Sequence, residues 1–250
     1  MANLNGVYQF NINAPNFLTT RPVRVTYPRV PFRGNDSFTN PFEDRLNKSY
    51  LENTARANSN IKNILSEYNI PIKVNAEELN KLQNGHLRDT RVLSAKIYSA
   101  LPIEMKNEVN VSELQEAAMY HDIGKVLLPN DILNKNGSLS PKEREIVELH
   151  SQLGYELLKD SGLSENTLNL IKYHHQTPTK NGYPIAESDF NYGVSEQILR
   201  VADEYSALTE DRSYKNAMSK EKALEIIKQD VDDGNISPEV YNSLKVAVSY

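Results

Sequence analysis

The stretch SPKEREIVELHSQLGYELLKDSG, residues 140–162, spells out one complete helix. Ser140 is an N-cap, Pro141 fits the first helical position and Glu143 supplies an acidic third residue. Behind them Ile146, Leu149, Leu153 and Leu157 mark a buried stripe, and His150 lies on that stripe. Gly162 stands where a helix usually closes. The same signals recur on both sides. Upstream, Asn75 with Glu78 opens a run in which Leu79, Leu82, His86, Leu93 and Ile97 follow at helical steps. Ser112 with Gln115 opens another, which runs into His121 and Asp122 and is ended by Gly124. Downstream, Ser164 starts a helix that finishes in Tyr173-His174-His175, and Val194 to Leu208 carries Asp203 in its second half. Ser219 and Ser237-Pro238 cap two final helices, the last with Val240, Leu244 and Val248 on one side. No repeats interrupt the pattern, so residues 75–250 read as a single all-α domain.

The N-terminal part reads differently. Residues 43–74 form a helical linker region in which Leu46, Tyr50, Leu65 and Tyr68 make a looser apolar pattern over 43–68, ended by Pro71. Residues 1–42 are rich in Asn and Pro, with Pro15, Pro22, Pro28, Pro31 and Pro41 too close together for a helix. They form an irregular extension, an extended or partly disordered arm. Its arginines Arg21, Arg24, Arg29 and Arg33 could dock a protein partner, although a solvated tail is the plainer reading.

Composition excludes several classes. The formal charge of −5 over 250 residues gives no basic footprint for duplex nucleic acid, although a few local cations could still hold a small phosphate ligand. No cysteine is present, so disulfides and thiolate ligands are both ruled out. Any metal must be held by nitrogen and oxygen, which suits Fe, Mn or Zn and disfavours Cu(I) and iron–sulfur clusters. The start MANLNGVYQFNINAPNF has no basic segment followed by an apolar one, and no run approaches the roughly eighteen apolar residues of a membrane helix. The expected location is the cytoplasm, with no membrane partner.

Histidine is where the chemistry shows. All five histidines, His86, His121, His150, His174 and His175, fall on this helical series, and three of them sit in two dense motifs, His121-Asp122 and His174-His175. Each has a plainer explanation. A lone histidine on an apolar helix face, like His86 or His150, is more often a hydrogen-bonded core residue. The His174-His175 pair could be a helix end or an interface, and Asp203 an ordinary polar residue. The ordered set is harder to obtain by accident. An adjacent His121-Asp122 pair can serve two metals if the carboxylate bridges them, with His86, His150, His174 and Asp203 turned inward to complete two ligand sets. Such a centre suits phosphoester hydrolysis, because two cations clamp the attacking and leaving oxygens and acidify a shared water. Lys125, one turn past the pair, could neutralise a phosphate oxygen.

From His86 to Lys215 the chain resembles the HD-GYP subfamily of the HD-domain metal-dependent phosphohydrolases. The pieces that carry the resemblance are His86; Ala118-Met119-Tyr120-His121-Asp122-Ile123-Gly124-Lys125; the continuous run from Pro129 through Leu133, Lys135 and Gly137 to Glu143; His150 with Gly154; His174-His175 with Gly182-Tyr183-Pro184; Val201-Ala202-Asp203 and on to Thr209; and Arg212-Ser213-Tyr214-Lys215. The resemblance implies an HD-domain helical bundle around a two- or three-metal centre, often of iron or manganese, with Zn, Mg, Ni or Co as further candidates. It assigns His86, His121, Asp122 and Asp203 to one divalent metal, and a bridging Asp122 with His150, His174 and His175 to the second. Asp122 and Lys125 become the catalytic residues, Lys125, Arg212 and Lys215 the phosphate contacts, and Tyr183 part of the pocket wall. The implied activity is phosphodiesterase hydrolysis of a cyclic dinucleotide, cyclic di-GMP first, by a metal-bridged hydroxide, in a bacterial signalling enzyme that could be a homodimer. Two alternatives stay open: an HD-type phosphohydrolase of another nucleotide, and a degenerate module that binds a nucleotide without cleaving it. Four positions depart from the family pattern. Gln176 replaces a glutamate after the histidine pair, Thr179-Lys180-Asn181 replace Asp-Gly-Ser, and Ser206 replaces a second aspartate. Leu82 occupies the place where three-metal members carry a glutamate, which favours two metals.

Overall fold

The computed structural model describes residues 45–187, 190–210 and 217–249, all within one compact unit that spans 39–250. The N-terminal arm and the Arg212 to Lys215 motif therefore lie outside the described residues. Twelve α-helices are found among them: α1 Lys48–Ala57, α2 Ser59–Glu67, α3 Ala76–Asn84, α4 His86–Ala100, the short α5 Ile103–Lys106, α6 Val111–Tyr120, the short α7 Asn130–Leu133, α8 Pro141–Leu158, α9 Glu165–Tyr173, α10 Val194–Thr209, α11 Lys220–Asp232 and α12 Pro238–Ala247. A 3₁₀ turn, Ile123–Leu127, joins α6 to α7. No strand occurs among the described residues, only one isolated antiparallel bridge between His175 and Tyr183. The all-α expectation holds.

The capping chemistry explains most of the boundaries. Ser140 accepts from the Glu143 N–H while Glu143 accepts from Ser140 N, a complete capping box with Pro141 at the first position. Asn75, Ser164, Ser219 and Ser237 cap their helices as expected. At four places along the chain the boundaries or burial differ from the expected ones, and Gly124 is a fifth. The helix before His121 starts at Asn110, whose side chain accepts from Ser112 N and Glu113 N, so Ser112 lies just inside it. The run from Asn75 to Ile97 is two helices, because Gly85 adopts φ −139° and ψ −103°, outside the helical region. The 43–68 stretch also splits. Asn58 donates its N–H to Thr54 O at the end of α1, and its side chain caps the start of α2. Tyr50, assigned to the apolar pattern, is exposed, whereas Leu51 is fully buried.

The core is one cluster running from Leu46 to Ala247. Its centre is α4, which packs against α6, α10 and α12, while α9 packs against α6 and α8. The first two helices cover α8. Asn58 Nδ2 donates to Glu156 Oε2 at 3.0 Å and Asn60 Nδ2 to Glu156 Oε1 at 3.0 Å, so the buried Glu156 carboxylate is satisfied from across the interface. Arg45 donates to Ser161 O at 3.1 Å beside the same helix. No helix among the described residues is long and apolar enough to cross a membrane.

One close approach sets the geometry of everything that follows. A Cβ on Gly124 would lie 2.0 Å from the His150 carbonyl oxygen, so only glycine lets the turn after Asp122 rest directly on the backbone of α8. Gly124 does not end α6, which stops at Tyr120; it brings two ligand-bearing segments together.

Candidate metal centre

Five segments deliver the site. His86 is the first residue of α4, His121 caps the end of α6 with Asp122 immediately behind it, and His150 lies in the middle of α8. His174 caps the end of α9 with His175 next, and Asp203 projects from α10. Helix ends suit ligands because consecutive side chains there can diverge around one point. The fold brings together all seven ligand positions that the sequence nominated, as two groups sharing Asp122.

In the first group His86 Nε2 stands 2.9 Å from Asp203 Oδ1 and 3.4 Å from Asp122 Oδ2, and His121 Nε2 lies 3.4 Å from Asp203 Oδ1 and 3.7 Å from Asp122 Oδ2. In the second, His150 Nε2 is 3.3 Å and His174 Nε2 is 3.9 Å from the other oxygen, Asp122 Oδ1. His175 belongs to this group. Each oxygen of the one carboxylate thus faces its own set of imidazoles.

The tautomers can be argued from the backbone. His121 Nδ1 donates to Ala118 O at 3.1 Å, His150 Nδ1 to Val147 O at 2.6 Å and His174 Nδ1 to Ile171 O at 2.7 Å. A carbonyl only accepts, so each proton is on Nδ1 and each inward-facing Nε2 offers a lone pair. His150 Nε2 and His174 Nε2 are nevertheless 3.2 Å apart. Ser151 Oγ, 3.3 Å from His150 Nε2, can donate to one of these lone pairs. The Oδ1 of buried Asp122 has no hydrogen-bond partner at all. Facing lone pairs and an orphaned carboxylate oxygen, all out of water, are costly unless a cation lies between them. The residues present fit divalent metals on nitrogen and oxygen donors.

Charge follows the same division. Burial opposes ionisation of Asp122, but Lys125 and the surrounding imidazoles hold its carboxyl well below the usual range. Asp203 is held low against burial by His121 and His86. Burial would lower His121, yet Asp122 and Asp203 carry it above the ordinary imidazole value. In the second group burial dominates: His150 falls to about 4, His175 to about 3, and His174 well below its usual value. Those three imidazoles are neutral at physiological pH and ready to ligate.

Lys125 Nζ reaches Asp122 Oδ2 at 2.5 Å and lines a cavity of about 230 Å³ that opens beside His86 and Asp122. Leu82 and Leu139 contribute apolar wall, Lys81 and Lys135 further cations, and Glu78 and Glu210 carboxylates. Lys81 and Glu210 belong to no motif in the sequence; Lys135 falls within the Pro129 to Glu143 motif and Glu78 reads as a helix-start residue, but neither points to the cavity from sequence alone, because its wall is assembled from separate helices and loops. Tyr183 is not among its lining residues. Its ring instead packs on His175, centroids 4.6 Å apart, and stands edge-on to His150 at 5.9 Å. Ser206 is buried one turn beyond Asp203.

Comparison with known proteins agrees with this geometry. The chain is 35% identical to a cyclic di-GMP phosphodiesterase of Thermotoga maritima over 136 residues, 54% of this chain and 37% of that one. It is 30% identical to a cyclic di-GMP phosphodiesterase of Pseudomonas aeruginosa over 165 residues, 65% of this chain and 39% of that one. A 3'3'-cGAMP-specific phosphodiesterase of Vibrio cholerae is 31% identical over 136 residues, 54% of this chain and 29% of that one. The chain therefore spans well under half the length of these relatives. Among solved structures, an HDG"Y"P protein from Bdellovibrio bacteriovorus superposes with a TM-score of 0.51 at 19% identity, over 84% of this chain and 67% of that one, a likeness of fold. A model of the HD domain family matches residues 70–240, a span that holds every residue of the two clusters, and on that match the chain belongs to the HD domain family.

Proposed function

We propose that this chain is a metal-dependent phosphodiesterase of the HD-GYP type that opens a cyclic dinucleotide, cyclic di-GMP first, in the cytoplasm of a bacterium. The observation that carries the reading is the division of Asp122 between two imidazole sets, one oxygen to each. Relatives named for cyclic di-GMP and 3'3'-cGAMP hydrolysis support the substrate class. His86, His121, Asp122 and Asp203 would hold one ion, and Asp122, His150, His174 and His175 the other, with Fe or Mn favoured and Zn, Mg, Ni or Co compatible. The apolar Leu82 beside His86 supports two ions rather than three.

When bound, such a pair supplies Lewis acidity to a phosphate and acidifies a water at neutral pH. The chain's own residues do the rest. The Nδ1–H bonds to helix carbonyls keep the imidazoles turned inward and basic at Nε2. Lys125, resting on Asp122 Oδ2, lines the cavity, where its ammonium can donate a hydrogen bond to a phosphate oxygen and offset its charge. Arg212 and Lys215 remain proposed phosphate contacts, and Tyr183 a wall against the second set.

The test is turnover. Protein loaded with Mn²⁺, or with Fe²⁺ under anaerobic conditions, should linearise cyclic di-GMP, read by chromatography, with two metals per chain by elemental analysis. Two bound metals with no turnover of cyclic di-GMP would defeat the reading. A second substrate reading rests on the altered loop at Gln176 and Thr179-Lys180-Asn181; a panel that includes 3'3'-cGAMP and nucleotide monoesters separates the two.

A further inference from the structure

Three of the imidazoles in the two sets are aimed by a hydrogen bond from Nδ1 to their own helix. His175 is not: it lies beyond the end of α9, and no such bond is formed for it among the described residues. Its ring is held by packing instead, against His174 at 4.1 Å, His150 at 5.1 Å and Tyr183 at 4.6 Å between centroids. The Tyr183 face is the one supplied by a loop, so whatever fixes that loop also fixes His175.

Gln176 does so. Its side chain is fully buried, although glutamine is a polar residue that follows the ligand pair directly. Oε1 accepts from Thr177 N at 3.3 Å and from Gly182 N at 3.2 Å, while Nε2 donates to the Pro184 carbonyl. Two backbone donors on one side and a carbonyl on the other define which end of the amide is oxygen. The amide therefore clamps the residues on both sides of Tyr183. Gly182 completes the fit, since a Cβ there would fall 2.0 Å from the His175 carbonyl oxygen.

We propose that Gln176 is a positioning residue for the second metal: it clamps the Gly182-Tyr183-Pro184 turn so that the Tyr183 ring holds His175 in its ligating orientation. This rests on the reading of His175 as a ligand and deepens it. A carboxylate at the same position accepts from both N–H groups but cannot donate to Pro184 O, so glutamate retains part of the clamp and methionine, of similar length, retains none.

The experiment needs no nucleotide, which separates its outcome from that of the turnover assay. Mn²⁺ binding is followed by titration calorimetry, and amide exchange at Gly182 by NMR, in the wild type and in Q176M, Q176E, Y183A and Y183F. Wild type should bind two Mn²⁺. Q176M should lose about 10- to 100-fold in affinity for one of them, the range for an outer partner that orients a ligand. Q176E should lose less, and Gly182 exchange should rise in the same order. Y183A should reproduce the metal defect without touching Gln176, and Y183F should not. One Mn²⁺ in the wild type, unchanged affinity for both ions in Q176M, or a Y183F defect equal to that of Y183A each overturns the proposal.

Discussion

The two halves of the metal centre share a carboxylate yet are built on opposite electrostatic plans. The first half mixes two imidazoles with two carboxylates, and His86 already pairs with Asp203 at 2.9 Å. A proton can bridge such a set. The second half has three imidazoles and a single carboxylate oxygen, with two lone pairs facing each other at 3.2 Å and Asp122 Oδ1 without a partner. Protons do not settle there, because burial pushes His150 to about 4 and His175 to about 3. Both halves bring imidazole nitrogens face to face, His86 and His121 Nε2 at 3.3 Å in the first, but only the first has two carboxylates beside them to share a proton, so the need for a cation is greater in the second.

Removing the shared residue should have the largest effect. Asp122→Ala strips the one carboxylate shared by both sets, so both metals and turnover should be lost. The loss should exceed the roughly 100-fold that an outer-shell change costs, measured as metal content and initial rate. Retention of two metals would show that the halves are independent. Next, His174→Ala and His86→Ala divide the centre: each should leave one metal per chain by elemental analysis. Metal at 100 times its dissociation constant should stabilise the wild type by about 2.7 kcal/mol, read as a rise in melting temperature, and His174→Ala should forfeit the larger share of that gain.

Proton release sharpens the contrast further. The raised His121 carries a proton below and around its ordinary titration range, and that proton must leave when a metal binds the first half. The second half has none to give at neutral pH. In the metal-free protein the His121 contribution to stability is full at low pH and fades as pH rises through its raised pKa, the sign expected for a group charged in the fold. Calorimetric titrations at pH 6, in buffers of different ionisation enthalpy, should show proton release for one Mn²⁺ and almost none for the other. Equal release at both steps would erase the distinction drawn between the halves.

How much of this was legible beforehand depends on where the information is stored. The residues that cluster were legible because His121-Asp122 and His174-His175 are local motifs, and because His86, His150 and Asp203 ride on helices with plain apolar stripes. The helix starts at Asn75, Ser140 and Ser164 were legible from single capping residues. The break at Gly85 was not, since a helical stripe continues through it, and the sequence does not separate Asn110 from Ser112 as the cap because both residue types cap well. Gly124 looks like a stop in the sequence. Its role is a contact between segments 26 positions apart, Gly124 against His150, which no local pattern contains. The cavity lined by Lys81, Lys135, Glu78 and Glu210 is of the same kind.

Gly124→Ala tests whether that contact sets the spacing of the halves. The added methyl meets backbone on α8 rather than a flexible side chain, so the strain cannot be relieved by a rotamer change. A cost of roughly 1–3 kcal/mol is expected, or about 2–4 °C of melting temperature per kcal/mol for a chain of this size. Because His150 moves relative to Asp122, the second half should lose metal affinity before the first.

The smallest effect is expected where helix stability and site geometry part company. Ser140 caps the helix that carries His150, and Ser140→Ala should cost about 1 kcal/mol. The cap lies nearly three turns from His150, and Gly124 fixes that part of α8 independently of its start. Glu143 also stays anchored, since Lys135 Nζ holds its two oxygens at 2.7 and 2.6 Å and, with Ser140, brings its pKa to about 2. The cap variant should therefore melt a few degrees lower while binding both metals with unchanged affinity. A second-half metal defect in Ser140→Ala would mean that α8 transmits fraying from its start to His150, and that the division between the halves reaches far outside the pocket.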